Sequence, residues 1–249
     1  MSGNLRITAV SYLNTKPFLF GLFSSSLIDF LDIQLEIPSE CARKLKSGEA
    51  DLGLIPVGAL KDLESYHIIS DYCIGAVGRV NTVCLFSEVP VQQIEKIYLD
   101  YQSRTSVELI KILSAKHWKI SPEFSHAMPG YTTKIQGTTG GLVIGDRVIP
   151  LLKNYEFVYD LSETWYQFTG GKPFVFAVWV STKPMDPILE RVFNNALKNG
   201  VDRVDDLCKI LPNPYEDFDL KNYLKKDISY TFDDAKQEAL SYFLELIKE

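Results

Sequence analysis

Short apolar runs that alternate with stretches of helical period constrain this fold more than any other feature. Ile7–Val10, Ile33–Ile37, Leu52–Ile55, Val80–Phe86, Ile97–Leu99, Gly141–Ile144 and Phe174–Val180 read as strands. Between them, Cys41–Lys46, Val107–Ala115 and Ile188–Lys198 carry the helical period. The alternation predicts an α/β chain with a mainly parallel sheet. With 249 residues, 46% of them hydrophobic, the chain can form one large domain or two lobes, either with an ample core. Thr231 and Asp234 read as a Thr-x-x-Asp capping box for a last helix. Its shared face of Ala235, Ala239, Leu240, Phe243, Leu244 and Ile247 then covers the core.

Two extended stretches, Ser87-Glu88-Val89-Pro90 and Gly170-Gly171-Lys172-Pro173, fit crossings between lobes. Residues 1–87 plus 174–249 would then form a discontinuous first lobe and 88–173 a second, with a cleft between them. The other reading makes both stretches ordinary loops of a single sheet.

Several function classes are disfavoured at once. A net charge of −6 lacks the concentrated basic face that nucleic acid requires. Cys41, Cys73, Cys84 and Cys208 stand far apart, with no histidine at metal-ligand spacing, and read as free, mostly buried thiols. The opening Met1-Ser2-Gly3-Asn4-Leu5-Arg6 lacks the basic and apolar regions of a secretory leader. No window reaches the roughly 18 uninterrupted apolar residues of a membrane span, so a cytoplasmic location is expected. Gly140-Gly141 lacks the Lys-Ser/Thr of a phosphate loop and G-x-G-x-x-G is absent, which disfavours nucleotide chemistry. His67, His117 and His126 sit in no nucleophile motif. Neither a metal nor a cofactor is implied.

Three apolar runs break into polar residues just before a helix, the place where open α/β sheets bind ligands. The first ends in Ser11-Tyr12-Leu13-Asn14-Thr15-Lys16-Pro17, the second in Ser103-Arg104-Thr105-Ser106, the third in Gly145-Asp146-Arg147. Asn14 offers a donor and an acceptor, to a ligand or to its own turn. Ser103–Ser106 open a helix either as a Thr105/Glu108 capping box with Arg104 solvated, or as an anion pocket of N–H groups and hydroxyls. Asp146 fits the cap of a helix over Arg147–Leu152 better than a catalytic role. Thr82 either faces a cleft or serves strand propensity. Of Trp165, Phe168, Phe174, Phe176 and Trp179, most belong to the core, leaving one or two to wall a ring pocket.

Taken in order, six segments resemble the chorismate dehydratase family of the futalosine route to menaquinone. They are Val10–Phe18, Ala50–Val57 with Pro56, Val80–Ser87, Ser103–Val107, Leu142–Arg147 and Pro173–Trp179. The resemblance implies a two-lobed fold like that of type 2 periplasmic binding proteins, with the ligand cleft between the lobes. It implies loss of water from chorismate, giving 3-[(1-carboxyvinyl)oxy]benzoate. In that family the first motif's Asn and a Ser of the third contact the substrate; here these map to Asn14 and Thr82, and Thr82 departs from the pattern by a methyl group. Ser11, Tyr12, Pro56, Ser103, Arg104, Thr105, Ser106, Gly145 and Asp146 complete the expected substrate-binding set, for a small dicarboxylate as partner. Rival readings are 1,4-dihydroxy-6-naphthoate synthase, with His126 as its histidine, and a non-enzymatic solute-binding protein. A ligand-sensing module is a weaker third.

Overall fold

The computed structural model describes residues 4–248. Two sheets divide the chain. The larger, ordered β11-β4-β10-β3-β1-β2, contains β1 (Leu5–Val10), β2 (Leu31–Glu36), β3 (Leu52–Pro56), β4 (His67–Ala76), β10 (Phe174–Ser181) and β11 (Ser229–Thr231). The smaller, ordered β7-β6-β8-β5-β9, contains β5 (Val83–Ser87), β6 (Lys96–Leu99), β7 (Glu123–His126), β8 (Thr139–Ile144) and β9 (Phe157–Asp160).

Neither sheet is mainly parallel, contrary to the expectation from alternation. β1 runs parallel to β2 and β3, and β6 to β7 and β8, but β10 is antiparallel to both its neighbours and β5 to both of its own. The cause is the crossing itself, because a strand that enters or returns from the other sheet arrives without a crossover helix to turn it round.

The strand assignment also moves the first crossing. β5 belongs to the smaller sheet, so the chain passes over within residues 77–82 and not at Ser87–Pro90. Asn81 adopts a left-handed φ of 63°, which ends the apolar run read as Val80–Phe86 and leaves Thr82 just outside the strand. Asp160 fixes this path. One of its carboxylate oxygens accepts from Val80 N (3.0 Å) and Asn81 N (2.7 Å), the other from Ser162 N (3.0 Å) and Glu163 N (3.1 Å) at the start of α4 (Leu161–Thr169). The return path runs through Gly170 and Gly171, both at positive φ, and is tied down where Trp165 Nε1 donates to Pro173 O at 3.0 Å.

Helices cover both sheets. α1 (Lys16–Phe23) begins with Pro17 in its first turn, where a missing N–H costs nothing, and packs on α5 (Pro187–Asp202). α2 (Pro38–Lys46) lies against β3, while α3 (Thr105–Ile112) and α4 lie against the smaller sheet. α6 (Val204–Ile210) and α7 (Leu220–Asn222) lead into a π-helical turn, Tyr223–Asp227, before β11. α8 (Asp234–Lys248) closes over β10 and α3. Its cap is Asp233, whose carboxylate accepts from Lys236 N at 3.0 Å; Thr231 is spent in β11, so the Thr231/Asp234 box does not form. Correspondingly Lys236, and not Ala235, lies on the buried face, its ammonium paired with Asp233. Trp165, Trp179, Phe18, Phe174 and Phe193 are fully buried and meet edge to face, the favoured geometry for aromatic pairs. Cys41, Cys73 and Cys84 are buried thiols and Cys208 is half-buried. Among the described residues no helix is long and apolar enough to cross a membrane.

Candidate functional site

A cavity of about 60 Å³ lies where the carboxyl ends of β1, β6 and β8 converge, with walls from both sheets. By the same measure a single water needs about 10–15 Å³, so the space is more than a packing defect. Tyr12, Asn14, Pro56, Thr82, Ser103, Thr105, Ser106 and Gly145 all line it. Its remaining walls are apolar: Val10, Pro38, Ile74, Val80, Val83, Ile144, Phe176 and Ala177. Of the aromatic residues near the second crossing, Phe176 is the one that reaches the cavity.

Three residues of the expected set are not in this wall. Ser11 is exposed, its N–H taken up by Glu36 O at 3.0 Å. Arg104 is exposed and faces a separate surface depression with Lys61, Glu108 and His126, because the helix start turns its side chain away from the cleft. Asp146 sits beside the cavity but points back across the interface, accepting from Leu13 N with both oxygens at 3.1 Å. It does not cap its own segment, which is a 3-10 turn, Gly145–Leu151, with no side-chain cap. Burial pushes the Asp146 carboxyl up to about 6, against the pull of the Leu13 N–H and of Lys16.

The polar groups of the cavity are held individually. Ser103, not Thr105, caps α3: its hydroxyl accepts from Ser106 N at 3.0 Å. Thr105 is engaged elsewhere, accepting from Gly58 N and donating to Phe176 O, each at 3.0 Å, and so stitches the two sheets together beneath the cavity. Tyr12 donates to Gln102 Oε1, and its phenol is pushed up by burial. Gln102 lies on a loop held by the buried Asp100, which accepts from Gln102 N (3.0 Å), Ile144 N (2.9 Å) and Arg147 (2.6 Å). Gly145 is required twice over, by its φ of 69° and because a Cβ there would lie 2.5 Å from the Tyr12 ring.

Sequence reasoning missed the contribution of the C-terminal segment. Tyr223, fully buried, places its hydroxyl 2.9 Å from Thr82 Oγ1. Burial is the main reason its phenol is pushed up. Tyr230 donates to Asn14 O at 3.0 Å. Thr82 and Asn14 are therefore each held by a tyrosine of this segment, Thr82 by Tyr223 from the π-helical turn, a distortion that recurs at functional sites, and Asn14 by Tyr230 from β11. No periodicity in the sequence marks either tyrosine; a long-range partner carries no local signal.

A family model described as menaquinone biosynthesis matches residues 5–249. The chain belongs to this menaquinone biosynthesis family. Its similarity to chorismate dehydratase of Thermus thermophilus is 30% identity over 193 residues, 70% of each chain. Solved structures place the family member's fold. A protein of Archaeoglobus fulgidus superposes with a TM-score of 0.74 at 13% identity, covering 99% of this chain and 97% of that one. The alkanesulfonate-binding protein of Xanthomonas axonopodis pv. citri, bound to MOPS, superposes with a TM-score of 0.62 at 13% identity, covering 99% and 92%. These likenesses establish the two-lobed, type 2 periplasmic-binding-protein-like architecture for this menaquinone biosynthesis family member.

Proposed function

We propose that this protein removes water from chorismate to give 3-[(1-carboxyvinyl)oxy]benzoate. The observation that carries the reading is the composition of the cavity: Asn14 and Thr82 meet there beside an apolar wall, and no carboxylate, histidine, lysine or arginine lines it. A positioned base would ordinarily contribute about 10²–10⁴-fold to such an elimination. With none in the wall, the substrate's side-chain carboxylate takes the proton from the ether-bearing ring carbon. The neighbouring C–OH bond breaks, the C–H electron pair becomes ring π density, and proton and hydroxide leave together as water. Aromatisation drives the step.

The protein's part is placement. Asn14 and the Thr82 hydroxyl hold the reacting face, Ser103 and Ser106 at the start of α3 offer hydroxyls to an anionic oxygen, and Phe176 and Ile144 flank the ring. Holding a reactive geometry of this kind is worth about 7–11 kcal/mol. Because the walls come from both lobes, substrate enters when the lobes part transiently and reacts once they close again. His126 lies outside the cavity, on the exposed face with Arg104, which counts against the dihydroxynaphthoate synthase reading.

Incubation of the purified protein with chorismate, followed by mass spectrometry, tests this directly. A product lighter by one water and carrying an aromatic absorbance supports the reading. Unchanged chorismate in the presence of folded protein overturns it.

A further inference from the structure

We infer that Asp146 is a positioning residue that sets Asn14 in place only when the two lobes meet. Asn14 rides on a single 3-10 turn, Leu13–Thr15, whose N-cap residue Tyr12 provides no side-chain cap. Such a turn leaves its first N–H groups to be satisfied from outside. The acceptor is Asp146, on the segment after β8 of the other sheet, with both oxygens 3.1 Å from Leu13 N. At the far end of the same turn, Tyr230 holds Asn14 O at 3.0 Å from within the larger lobe. One tether is therefore permanent and the other exists only across the closed interface. Gly145, at left-handed φ and bonded through its N–H to Thr82 O at 2.8 Å, supplies the bend that aims Asp146 at Leu13.

The chemistry of the cap has a definite sign with pH. The groups facing Asp146 are Lys16 on α1, which favours its charge, and Tyr12, Tyr215 and Tyr223, which are neutral across the working range. Separated lobes return Asp146 to water and towards the ordinary aspartate range near about 3.9. Its closed-state pKa, about 6, is the higher one. Closure thus takes up a proton between those values and is favoured on the acid side. The neutral carboxyl still presents a C=O to Leu13 N, so the cap survives protonation. A substrate bearing two carboxylates adds negative charge nearby and strengthens the same coupling.

This inference rests on the dehydratase reading only for its kinetic arm. The test pairs Asp146→Ala with Asp146→Asn, the second of which keeps an acceptor and lacks the charge. Amide hydrogen exchange and the nitrogen-15 shift of Leu13 are followed from pH 4.5 to 8 without substrate, and turnover of chorismate is measured over the same range. We expect the Leu13 signal of the wild-type protein to titrate near pH 6, that of Asp146→Asn to stay constant, and Asp146→Ala to exchange at least tenfold faster at Leu13. In turnover, Asp146→Ala should lose about 100-fold in kcat, the scale of a misplacement of about 1 Å. Asp146→Asn should recover most of that loss, without the wild-type fall in kcat/KM above pH 6. Unaltered Leu13 exchange in Asp146→Ala overturns the inference, whatever the substrate. So does equal loss of kcat in both variants at unchanged KM, which would make Asp146 the base.

Discussion

Gly200→Ala offers the sharpest test of the packing that carries the site. Where α1 crosses α5, a Cβ on Gly200 would lie 1.9 Å from Pro17 O and 2.7 Å from Gly21 N; one on Gly21 would lie 2.0 Å from Ala196 O. Every obstacle is backbone, so no rotamer change relieves it. Restoring an ordinary contact near about 3.5 Å needs the helices to part by roughly 1.5 Å, and a gap of that size forfeits much of the dispersion along the rest of the crossing. Overpacking of this kind costs about 1–3 kcal/mol, and rigid obstacles put it at the upper end. Alanine repays about 1 kcal/mol in helix propensity. The net is a loss of about 2 kcal/mol. For a chain of this size that is a fall in Tm of about 4–8 °C, readable by circular dichroism. Because Pro17 lies three residues after Asn14, KM for substrate should rise as well. A melting point equal to or above that of the wild-type protein would mean that propensity wins, and the close crossing would have to be abandoned.

Three other substitutions address the cavity and its supports. Gly145→Ala forces an alanine into a left-handed backbone at a cost of about 1–2 kcal/mol and drives its Cβ into Tyr12, so turnover should fall far more than stability; wild-type kcat/KM would contradict this. Tyr223→Phe removes the partner of the buried Thr82 hydroxyl, a loss of about 1–2 kcal/mol in urea titration, with a lower kcat; full activity would show that Thr82 needs no orientation. Asp160→Ala leaves four backbone N–H groups without their acceptor and should cost about 3 kcal/mol or more; a urea midpoint within error of wild type would refute its role at the crossing.

The strand ends at Asn14, Ser103 and Gly145 were legible because a strand-to-helix junction has a local grammar of apolar run, polar break and helix start. What failed lacked a local cause. β4 was missed because its exposed face carries His67 and Asp71, which interrupt an otherwise apolar run, and β9 because Phe157, Val158 and Tyr159 are only half-buried and the strand ends in an aspartate. The direction of β10 could not be read, since side-chain period is blind to strand polarity. The extended stretch Ser87–Pro90 suggests the first crossing, whereas the chain turns at Asn81, whose left-handed conformation is a property of single residues that hydrophobicity hides. Arg104 and Thr105 show the same limit at a helix start. The residue types predicted a cap and a charge, but which hydroxyl caps depends on Gly58 and Phe176, distant in sequence, which engage Thr105 and leave the cap to Ser103.

The tether between Tyr230 and Asn14 joins residues 216 positions apart. At about 5–20 residues per second of synthesis, a nascent chain exposes Asn14 for on the order of 10–40 s before Tyr230 can reach it. The amino-terminal strands can pair in that interval, yet the cavity stays unfinished until Tyr230 has been made. A nascent chain therefore carries the Asn14 turn for most of its synthesis without the tyrosine that secures it.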